Sequence, residues 1–217
     1  MGDNGSGKST LLETIAVKAD LPLIGGYAKR KTSFEAAYKL APFTEMKWKR
    51  QTAKGFFFRA EDFSDFINSV DREKASLEQS LSDLRGNVSD QIINEMSESM
   101  NYSLHNMRKI YGDNMQAYSH GEAYLKILET RVQDKGVFLL DEPEAALSPL
   151  KQLSLIFLIL EKLRDGNSQF ILSTHSPILM GIPNAVLYEI RENGIVKTPF
   201  KETEHYRITR QFLLDPN

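Results

Sequence analysis

The sequence predicts an α/β fold built on a parallel sheet, and three patterns lead to this prediction. Residues 2–9 carry a glycine-rich phosphate-binding motif, apolar runs at 137–140 and 170–173 are typical of short buried strands, and a helical pattern at 149–164 joins the two runs. Strands that alternate with helices favour a parallel sheet, because each crossover needs a connection of about the size of a helix. The carboxyl ends of such strands meet at one edge of the sheet.

Composition places the chain among globular proteins that bury a core. Of its 217 residues 41% are hydrophobic and 26% are charged, with a formal net charge of −2. No apolar run approaches the roughly 20 residues of a membrane span, and Met1 is followed directly by the phosphate-binding motif, so neither a membrane segment nor a secretory signal is predicted. The absence of cysteine excludes disulfides and thiolate metal sites. We therefore expect a cytoplasmic protein.

The motif at residues 2–9 matches G-x-x-x-x-G-K-[ST], the pattern of a P-loop. In a P-loop the backbone N–H groups point at phosphate oxygens, Lys8 reaches the terminal phosphates, and the Ser9 hydroxyl ligates Mg²⁺. A helix predicted over 11–19 directs its positive N-terminal end at the same phosphates. The expected nucleotide-binding residues of the loop are Asn4, Gly5, Ser6, Gly7, Lys8, Ser9 and Thr10.

A P-loop normally connects a β-strand to a helix, yet only Met1 precedes Gly2. We therefore expect the first strand, before the P-loop, to be missing, because the chain is a fragment or the misjudged start of a longer protein. The alternative is that another strand takes its place. If the strand is missing, the functional alternative is that the chain is an N-terminally truncated, inactive fragment.

Residues 29–59 form a basic stretch in which nine lysines and arginines outnumber two acids, Glu35 and Glu45. Aromatic residues are interleaved with these charges. Such a composition is typical of a surface that follows a phosphate backbone and stacks bases, so DNA is a candidate partner. A solvated face beside the nucleotide site is the alternative. The cations are Lys29, Arg30, Lys31, Lys39, Lys47, Lys49, Arg50, Lys54 and Arg59, and the aromatic residues are Phe34, Tyr38, Phe43 and Trp48.

Between the P-loop and the first apolar run, a strand is predicted at 55–59 and the pattern then becomes helical. Two apolar stripes, interrupted at Arg85-Gly86-Asn87, predict a helical hairpin or small bundle that forms an insert subdomain at 62–112 within one domain of residues 1–217. Near the C-terminus two further apolar runs flank Asn193-Gly194. This pair is preferred in type I′ turns and predicts a β-hairpin, which is followed by a helix at 204–214.

Two acids follow the first apolar run. Asp141 is placed to hold Mg²⁺, directly or through water, and Glu142 is placed to polarise an attacking water as a general base. Such a run is common in structural roles, but a P-loop upstream favours the functional interpretation. His175 follows the next strand at the same sheet edge, where it is placed to hydrogen-bond the γ-phosphate. His105 and His205 lack such a context and are interpreted as structural.

The sequence Ser119-His120-Gly121-Glu122 begins the helical pattern at 123–132. Ser119 as N-cap and Glu122 three residues later form a capping box, which is a structural interpretation. The same helix start exposes N–H groups and a positive dipole end to a γ-phosphate, which is a functional one. One helix start can do both.

In order and spacing these motifs resemble those of ATP-binding-cassette (ABC) ATPases, over the whole chain. The signature helix of that family reads Leu-Ser-Gly-Gly-Gln in transporters and ends in Glu in the chromosome-maintenance and recombination-repair branch, as it does here at Glu122. His120 replaces the first glycine and Tyr118 the leucine. Together with residues 141–149 and 174–177, the motif is most similar to small, stand-alone predicted bacterial AAA-type ATPases of the cassette class.

This resemblance implies a P-loop NTPase with an ABC-type mixed or parallel sheet, and ATP and Mg²⁺ as cofactors. It also implies a head-to-tail homodimer clamped by ATP, in which Ser119, Gly121 and Glu122 of one protomer complete the γ-phosphate site built on Lys8 of the other. Residues 145–148 would cross that interface. The implied catalytic residues are Lys8, Glu142 and His175, and the implied Mg²⁺ ligands are Ser9 and Asp141.

The Mg²⁺-sensing glutamine loop of the family has no matching residue in this chain. Gln51 precedes its strand, and Arg59, Glu61 and Asp62 follow it.

Four functional hypotheses follow. The leading one is an ATP hydrolase that cycles between an ATP-clamped dimer and an open monomer. The second is a module in which ATP drives dimerisation around DNA or a protein effector with little turnover, and the third is the inactive fragment. A transporter motor ranks lowest, because no membrane segment accompanies the chain and the signature ends in Glu122.

Overall fold

The computed structural model describes residues 1–2, 5–24, 34–49, 52, 54–87, 90–112, 118–132, 135–164 and 166–215. Three parallel strands form a central sheet in the order β1-β2-β3, so the predicted α/β fold with a parallel sheet is confirmed. Every residue of β2 is buried, as a continuous apolar run requires of a strand that is covered on both faces. The strands are β1 (Gly55–Arg59), β2 (Gly136–Asp141) and β3 (Ser168–Ser173).

Strand register brings the carboxyl ends of all three strands to one edge. Arg59 is the partner of Asp141 in the β1–β2 pair, and Asp141 is the partner of Ser173 in the β2–β3 pair. The residues that follow β2 and β3 therefore leave the sheet side by side. This edge holds the candidate site.

Helices cover both faces of the sheet, and the alternation of β1 explains its three consecutive phenylalanines. Phe57 packs on one face with residues of α1 (Lys8–Lys18), while Phe56 and Phe58 pack on the other. There the ring of Phe58 stacks on Tyr124 with centroids 4.8 Å apart. The helices that flank the sheet are α1, α2 (Glu35–Leu40), α5 (His120–Arg131) and α6 (Pro149–Leu163).

Two long helices, α3 (Phe63–Asn87) and α4 (Asp90–Tyr111), pack against each other in the region where a helical insert is predicted. The predicted interruption at residues 85–87 lies slightly too early in the chain, because α3 ends at Asn87 and α4 begins at Asp90. A glycine inside a helix costs only about 1 kcal/mol relative to alanine, which a helix of this length tolerates. The division into an insert subdomain stays a prediction.

A β-hairpin of β4 (Tyr188–Arg191) and β5 (Gly194–Lys197) follows the short helix α7 (Pro177–Met180). The predicted turn centre is wrong by one residue, because the two-residue loop is 192–193 and Gly194 already pairs with Arg191. Gly194 has φ 122° and neither loop residue has a positive φ, so the turn is not type I′. The chain then forms α8 (Glu204–Leu214), as predicted.

The backbone of Met1 lies along β4. The Met1 amino group donates to the carbonyl of Tyr188 at 2.9 Å, and the Ile190 N–H donates to the carbonyl of Met1 at 2.9 Å. This is the hydrogen-bond pattern of a parallel pair. Within the described residues, no helix is long and apolar enough to cross a membrane.

Candidate nucleotide-binding site

The P-loop curls before α1 through two glycines in the left-handed region. Gly5 has φ 80° and Gly7 has φ 91°, a conformation that side chains rarely adopt, and Gly7 is the N-cap of α1. Lys8, the first helical residue, is only 6% exposed, and its Nζ donates to the carbonyl of Gly2 at 2.8 Å. The ammonium is thereby folded back over the loop. Asn4, another expected nucleotide-binding residue, lies outside the described residues.

Ser9 and Asp141 meet at the centre of the site. Burial raises the pKa of the Asp141 carboxyl, and the neighbouring Ser9 and Ser173 hydroxyls lower it by less. Among the described residues, Asp141 Oδ1 is buried and has no hydrogen-bond partner. Carboxylate and hydroxyl oxygens are ligands that Mg²⁺ prefers, so the pair fits this ion.

Glu142 stands directly after β2 in a left-handed backbone conformation, with φ 48° and ψ 48°. Its N–H donates to the carbonyl of Ser173 at 2.9 Å, which holds the residue against β3. A non-glycine residue in this region costs of the order of 1 kcal/mol or more and is often found at functional sites. The side chain is 45% exposed, and its Oε1 lies 3.7 Å from His175 Nε2.

The backbone of the loop that carries His175 is fixed by Glu144. One Glu144 oxygen accepts from the His175 N–H at 2.5 Å, and the other accepts from Thr174 Oγ1 at 2.8 Å. Within the described part of the chain, His175 Nε2 is buried and no hydrogen bond reaches it. Burial, and after it the charge of Lys8, lowers the pKa of His175, which favours the neutral ring.

The signature segment is a complete capping box, as predicted from its sequence. The Glu122 N–H donates to Ser119 Oγ at 3.4 Å, and the Ser119 N–H donates to Glu122 Oε2 at 3.2 Å. The Ser119 hydroxyl donates to Glu122 Oε2 at 2.9 Å and lowers the pKa of the Glu122 carboxyl most, followed by the Ser119 N–H and by Lys151 Nζ at 3.3 Å. A Cβ on Gly121 would lie 3.2 Å from the Ala146 carbonyl, so the helix start packs closely on the loop at 145–148.

Of the candidates for the glutamine loop, those within the described residues do not meet the family pattern. Arg59 is 5% exposed and is held by Asp62 at 2.6 Å, Glu61 at 3.1 Å and Glu13 at 3.2 Å. Gln51 lies outside the described residues. The end of β1 therefore presents a buried ion network beside Asp141 rather than a free amide.

Sequence analysis missed two positions that shape the site. Glu13, whose pKa burial raises despite its ion pair with Arg59, lies on α1 four residues after Ser9, and this helical spacing could have indicated its position. Glu144 is the second position, since a carboxylate three residues past the end of β2 can reach the neighbouring loop.

The basic stretch contributes less surface than its composition predicts. Phe34 is fully buried, with its ring 5.8 Å from that of Phe57, and Arg59 packs over the Phe34 ring at 5.0 Å. Phe34 is therefore a core residue, and Arg59 is held in a buried ion network instead of extending from the basic surface. Phe43 and Trp48 are exposed, at 89% and 36%. The four cations Lys29, Arg30, Lys31 and Arg50 lie outside the described residues.

Comparison with protein families identifies the chain. A family model described as "ABC transporter" matches residues 1–145, and a second, described as "AAA domain, putative AbiEii toxin, Type IV TA system", matches residues 121–181. No curated protein and no solved structure matches the chain. The first model covers more than half of the 217 residues and includes the P-loop, the signature helix and both acids after β2. The chain therefore belongs to the ABC-type family of ATP-binding P-loop NTPases.

Proposed function

We propose that this chain is an ATP hydrolase that binds Mg-ATP at the edge of its parallel sheet and dimerises head-to-tail around the nucleotide. One observation carries the proposal. Of the five buried polar side-chain atoms without a hydrogen-bond partner in the described residues, three belong to the P-loop and to two neighbouring strand ends: Ser6 Oγ, Asp141 Oδ1 and His175 Nε2. Such atoms cost free energy unless a ligand pairs with them.

Binding rests on the P-loop and on the end of β2. The backbone N–H groups of the loop and the Lys8 ammonium take the phosphates, with Ser6 Oγ as a further partner. Ser9 and Asp141 would hold Mg²⁺, which would neutralise phosphate charge at this site. The raised pKa of Asp141 supports this role, because a nearby cation relieves the cost of its buried charge.

Hydrolysis requires a water molecule, a base and stabilisation of the phosphoryl group. Glu142 accepts a proton from the water while the water oxygen bonds to the γ-phosphorus and the bond from that phosphorus to the β,γ-bridging oxygen breaks. The products are ADP and phosphate. His175 and Lys8 donate hydrogen bonds to the γ-phosphate oxygens, where charge is stabilised in the transition state.

Dimerisation supplies the rest of the γ-phosphate site. Ser119 and Gly121 of one protomer, with Glu122 beside them, contact the nucleotide held by Lys8 of the other. Close packing of Gly121 against Ala146 supports a single interface formed by the signature helix and the loop at 145–148.

The test is the solution mass and turnover of Glu142→Gln. We expect light scattering to show a monomer without nucleotide and a dimer with Mg-ATP, with hydrolysis reduced about 100-fold or more because the base is lost. The matched control is Glu161→Gln, an exposed acid on α6, which should hydrolyse ATP at the wild-type rate. A monomer under both conditions would contradict the proposed dimer. Equal turnover in Glu142→Gln and wild type would show that Glu142 is not the base.

A second candidate function is an ATP-switched DNA- or partner-binding module, favoured by one exposed surface. Phe43 and Trp48 are exposed on a segment that also carries Lys39, Lys47 and Lys49. The Lys39 and Lys47 ammonium groups pair with acids, at 2.6 and 3.7 Å, but both pairs are exposed and contribute little. Affinity for DNA that falls steeply with salt and is lost in Lys47→Ala/Lys49→Ala would support this function, and no binding at low salt would exclude it.

A further inference from the structure

A second histidine lies against the ring of His175. His205, at the start of α8, places its Nε2 3.2 Å from His175 Nδ1, and the two ring centroids are 5.4 Å apart. The sequence offers no indication of this contact, because the two residues are 30 positions apart and His205 follows no strand.

The start of α8 is fixed in place. Its N-cap Thr203 is 1% exposed, accepts from the Tyr206 N–H at 3.2 Å and donates to the Phe200 carbonyl at 2.8 Å. The Tyr206 ring packs on Phe200 with centroids 4.8 Å apart. His205 therefore approaches His175 from a rigid helix start.

Only one of the two nitrogens in this contact can carry the shared proton. If His175 Nδ1 donates, the neutral His175 ring has a bare Nε2, whose lone pair faces Glu142 Oε1 at 3.7 Å. If His205 Nε2 donates, His175 keeps its proton on Nε2, and an N–H dipole faces the carboxylate instead. Electrostatics favours the second arrangement.

We propose that His205 is a positioning residue: it donates its Nε2–H to His175 Nδ1 and thereby holds His175 in the orientation and tautomer that present an Nε2–H donor to a γ-phosphate oxygen. The effect of His205 on catalysis rests on the proposed function, because it assumes that this chain hydrolyses ATP. Glu144 fixes the backbone of His175, and His205 fixes the rotation of its ring, so the donor is in place before the nucleotide binds. A phosphate oxygen only accepts, so a bare Nε2 would be the wrong partner.

The first test is spectroscopic and needs no nucleotide. In protein carrying ¹⁵N-labelled histidine, long-range ¹H–¹⁵N correlation spectra identify which ring nitrogen is protonated, and single substitutions assign the signals of the four histidines. We expect His175 of the wild type to be protonated at Nε2 and His205→Ala to show a mixture of tautomers. A wild-type His175 protonated at Nδ1, or a tautomer unchanged in His205→Ala, would overturn the proposal.

The second test compares two replacements of similar length. Glutamine at position 205 has an amide N–H that can reach His175 Nδ1, whereas methionine fills the space without a donor. We expect His205→Met to lower kcat about tenfold or more with KM for ATP changed less than about threefold, and His205→Gln to stay within about threefold of wild-type kcat. His105→Ala, on an exposed part of α4, is the control and should match wild type.

The two tests separate this proposal from the proposed function. If no variant and no wild-type preparation hydrolyses ATP, the proposed hydrolase fails, while the spectra still decide whether His205 sets the tautomer. Equal kcat in His205→Gln and His205→Met would overturn the positioning role even in an active enzyme.

Discussion

The two surfaces proposed to meet across ATP differ in how their polar groups are paired. At the P-loop edge, Asp141 Oδ1 and His175 Nε2 are buried and have no partner among the described residues. At the start of α5, Ser119 and Glu122 are exposed and bond each other, with Lys151 as a third partner. The P-loop edge therefore has buried polar atoms that stay unpaired among the described residues, whereas the polar groups at the start of α5 pair with one another.

This difference gives an order of events. Because buried unpaired groups gain most from new partners, nucleotide should bind first at the P-loop edge of one protomer. The start of α5 offers its positive helix end without first breaking a buried contact, so it can dock afterwards. In the proposed dimer, ATP would then join the surface with unpaired polar atoms to the surface whose polar groups are already paired.

Removing the cation of the unsatisfied surface should have the largest effect. We expect Lys8→Ala to weaken ATP binding about 100-fold or more, because charge-assisted hydrogen bonds to phosphate are lost at a residue that is 6% exposed. Isothermal titration calorimetry with Mg-ATP measures this change.

The matched control is Lys18→Ala, which removes an exposed lysine of the same helix whose Nζ bonds the Ala41 carbonyl at 3.2 Å. It should bind ATP like the wild type. Equal losses in the two variants would show that net charge, not the position of Lys8, governs affinity.

A charge on the satisfied surface should have an intermediate effect and act on the dimer alone. Ser119→Asp keeps an N-cap but adds a negative charge, and Ser119→Asn keeps an N-cap without charge. We expect Ser119→Asp to reduce turnover about tenfold or more, because at a few ångströms like charges repel by about 1 kcal/mol or more even in water. ATP binding by the monomer should be unchanged in both variants.

A mixture of the Lys8→Ala and Ser119→Asp variants tests whether the start of α5 acts on the nucleotide of the other protomer. Lys8→Ala and Ser119→Asp are each expected to be impaired alone, but a mixed head-to-tail dimer contains one site with an intact Lys8 and an intact Ser119. Turnover should therefore reappear on mixing. No recovery, with both variants folded and the mixture dimeric by light scattering, would contradict the head-to-tail arrangement.

The fold was largely predictable because local patterns and topology agree. The apolar runs become β2 and β3, and the phenylalanines of β1 divide between the two faces of the sheet, as alternation in a strand requires. The errors have local causes. Helix α3 continues through Gly86 to Asn87. The hairpin loop lies one residue before the predicted Asn193-Gly194 pair, because Gly194 already pairs in β5.

The site was predictable where a motif carries the chemistry and unpredictable where distant segments meet. Ser9 and Asp141 lie next to each other, as expected when a P-loop follows the sheet edge, and their role as Mg²⁺ ligands stays a prediction. By contrast, the interaction of Arg59 with Glu13 joins residues 46 positions apart, and His205 reaches His175 only because α8 returns to the sheet edge. Spacing along the chain does not encode such contacts.

The smallest expected effect concerns the stability of the unsatisfied surface itself. Burial raises the pKa of Asp141 above its ordinary value, so over the pH range between the unfolded and the folded pKa the folded state holds more protons than the unfolded state. The protonated Asp141 carboxyl is therefore compatible with folding at acid pH, and the free energy of unfolding falls as pH rises through the folded pKa of Asp141 and the buried carboxyl becomes charged. Asp141→Asn removes that loss.

We therefore expect the Tm of Asp141→Asn, relative to wild type and without nucleotide, to be higher at neutral pH than at pH about 4 by about 2 °C, the shift that about 1 kcal/mol produces in a chain of this length. Differential scanning calorimetry at the two pH values measures the difference, with the exposed acid variant Glu45→Gln as control. Mg-ATP should raise the Tm of wild type more than that of Asp141→Asn, because only the carboxylate gains a cation. An equal Tm difference at both pH values would mean that the ion network of Arg59 already offsets the buried charge, and that the surface is satisfied without its ligand.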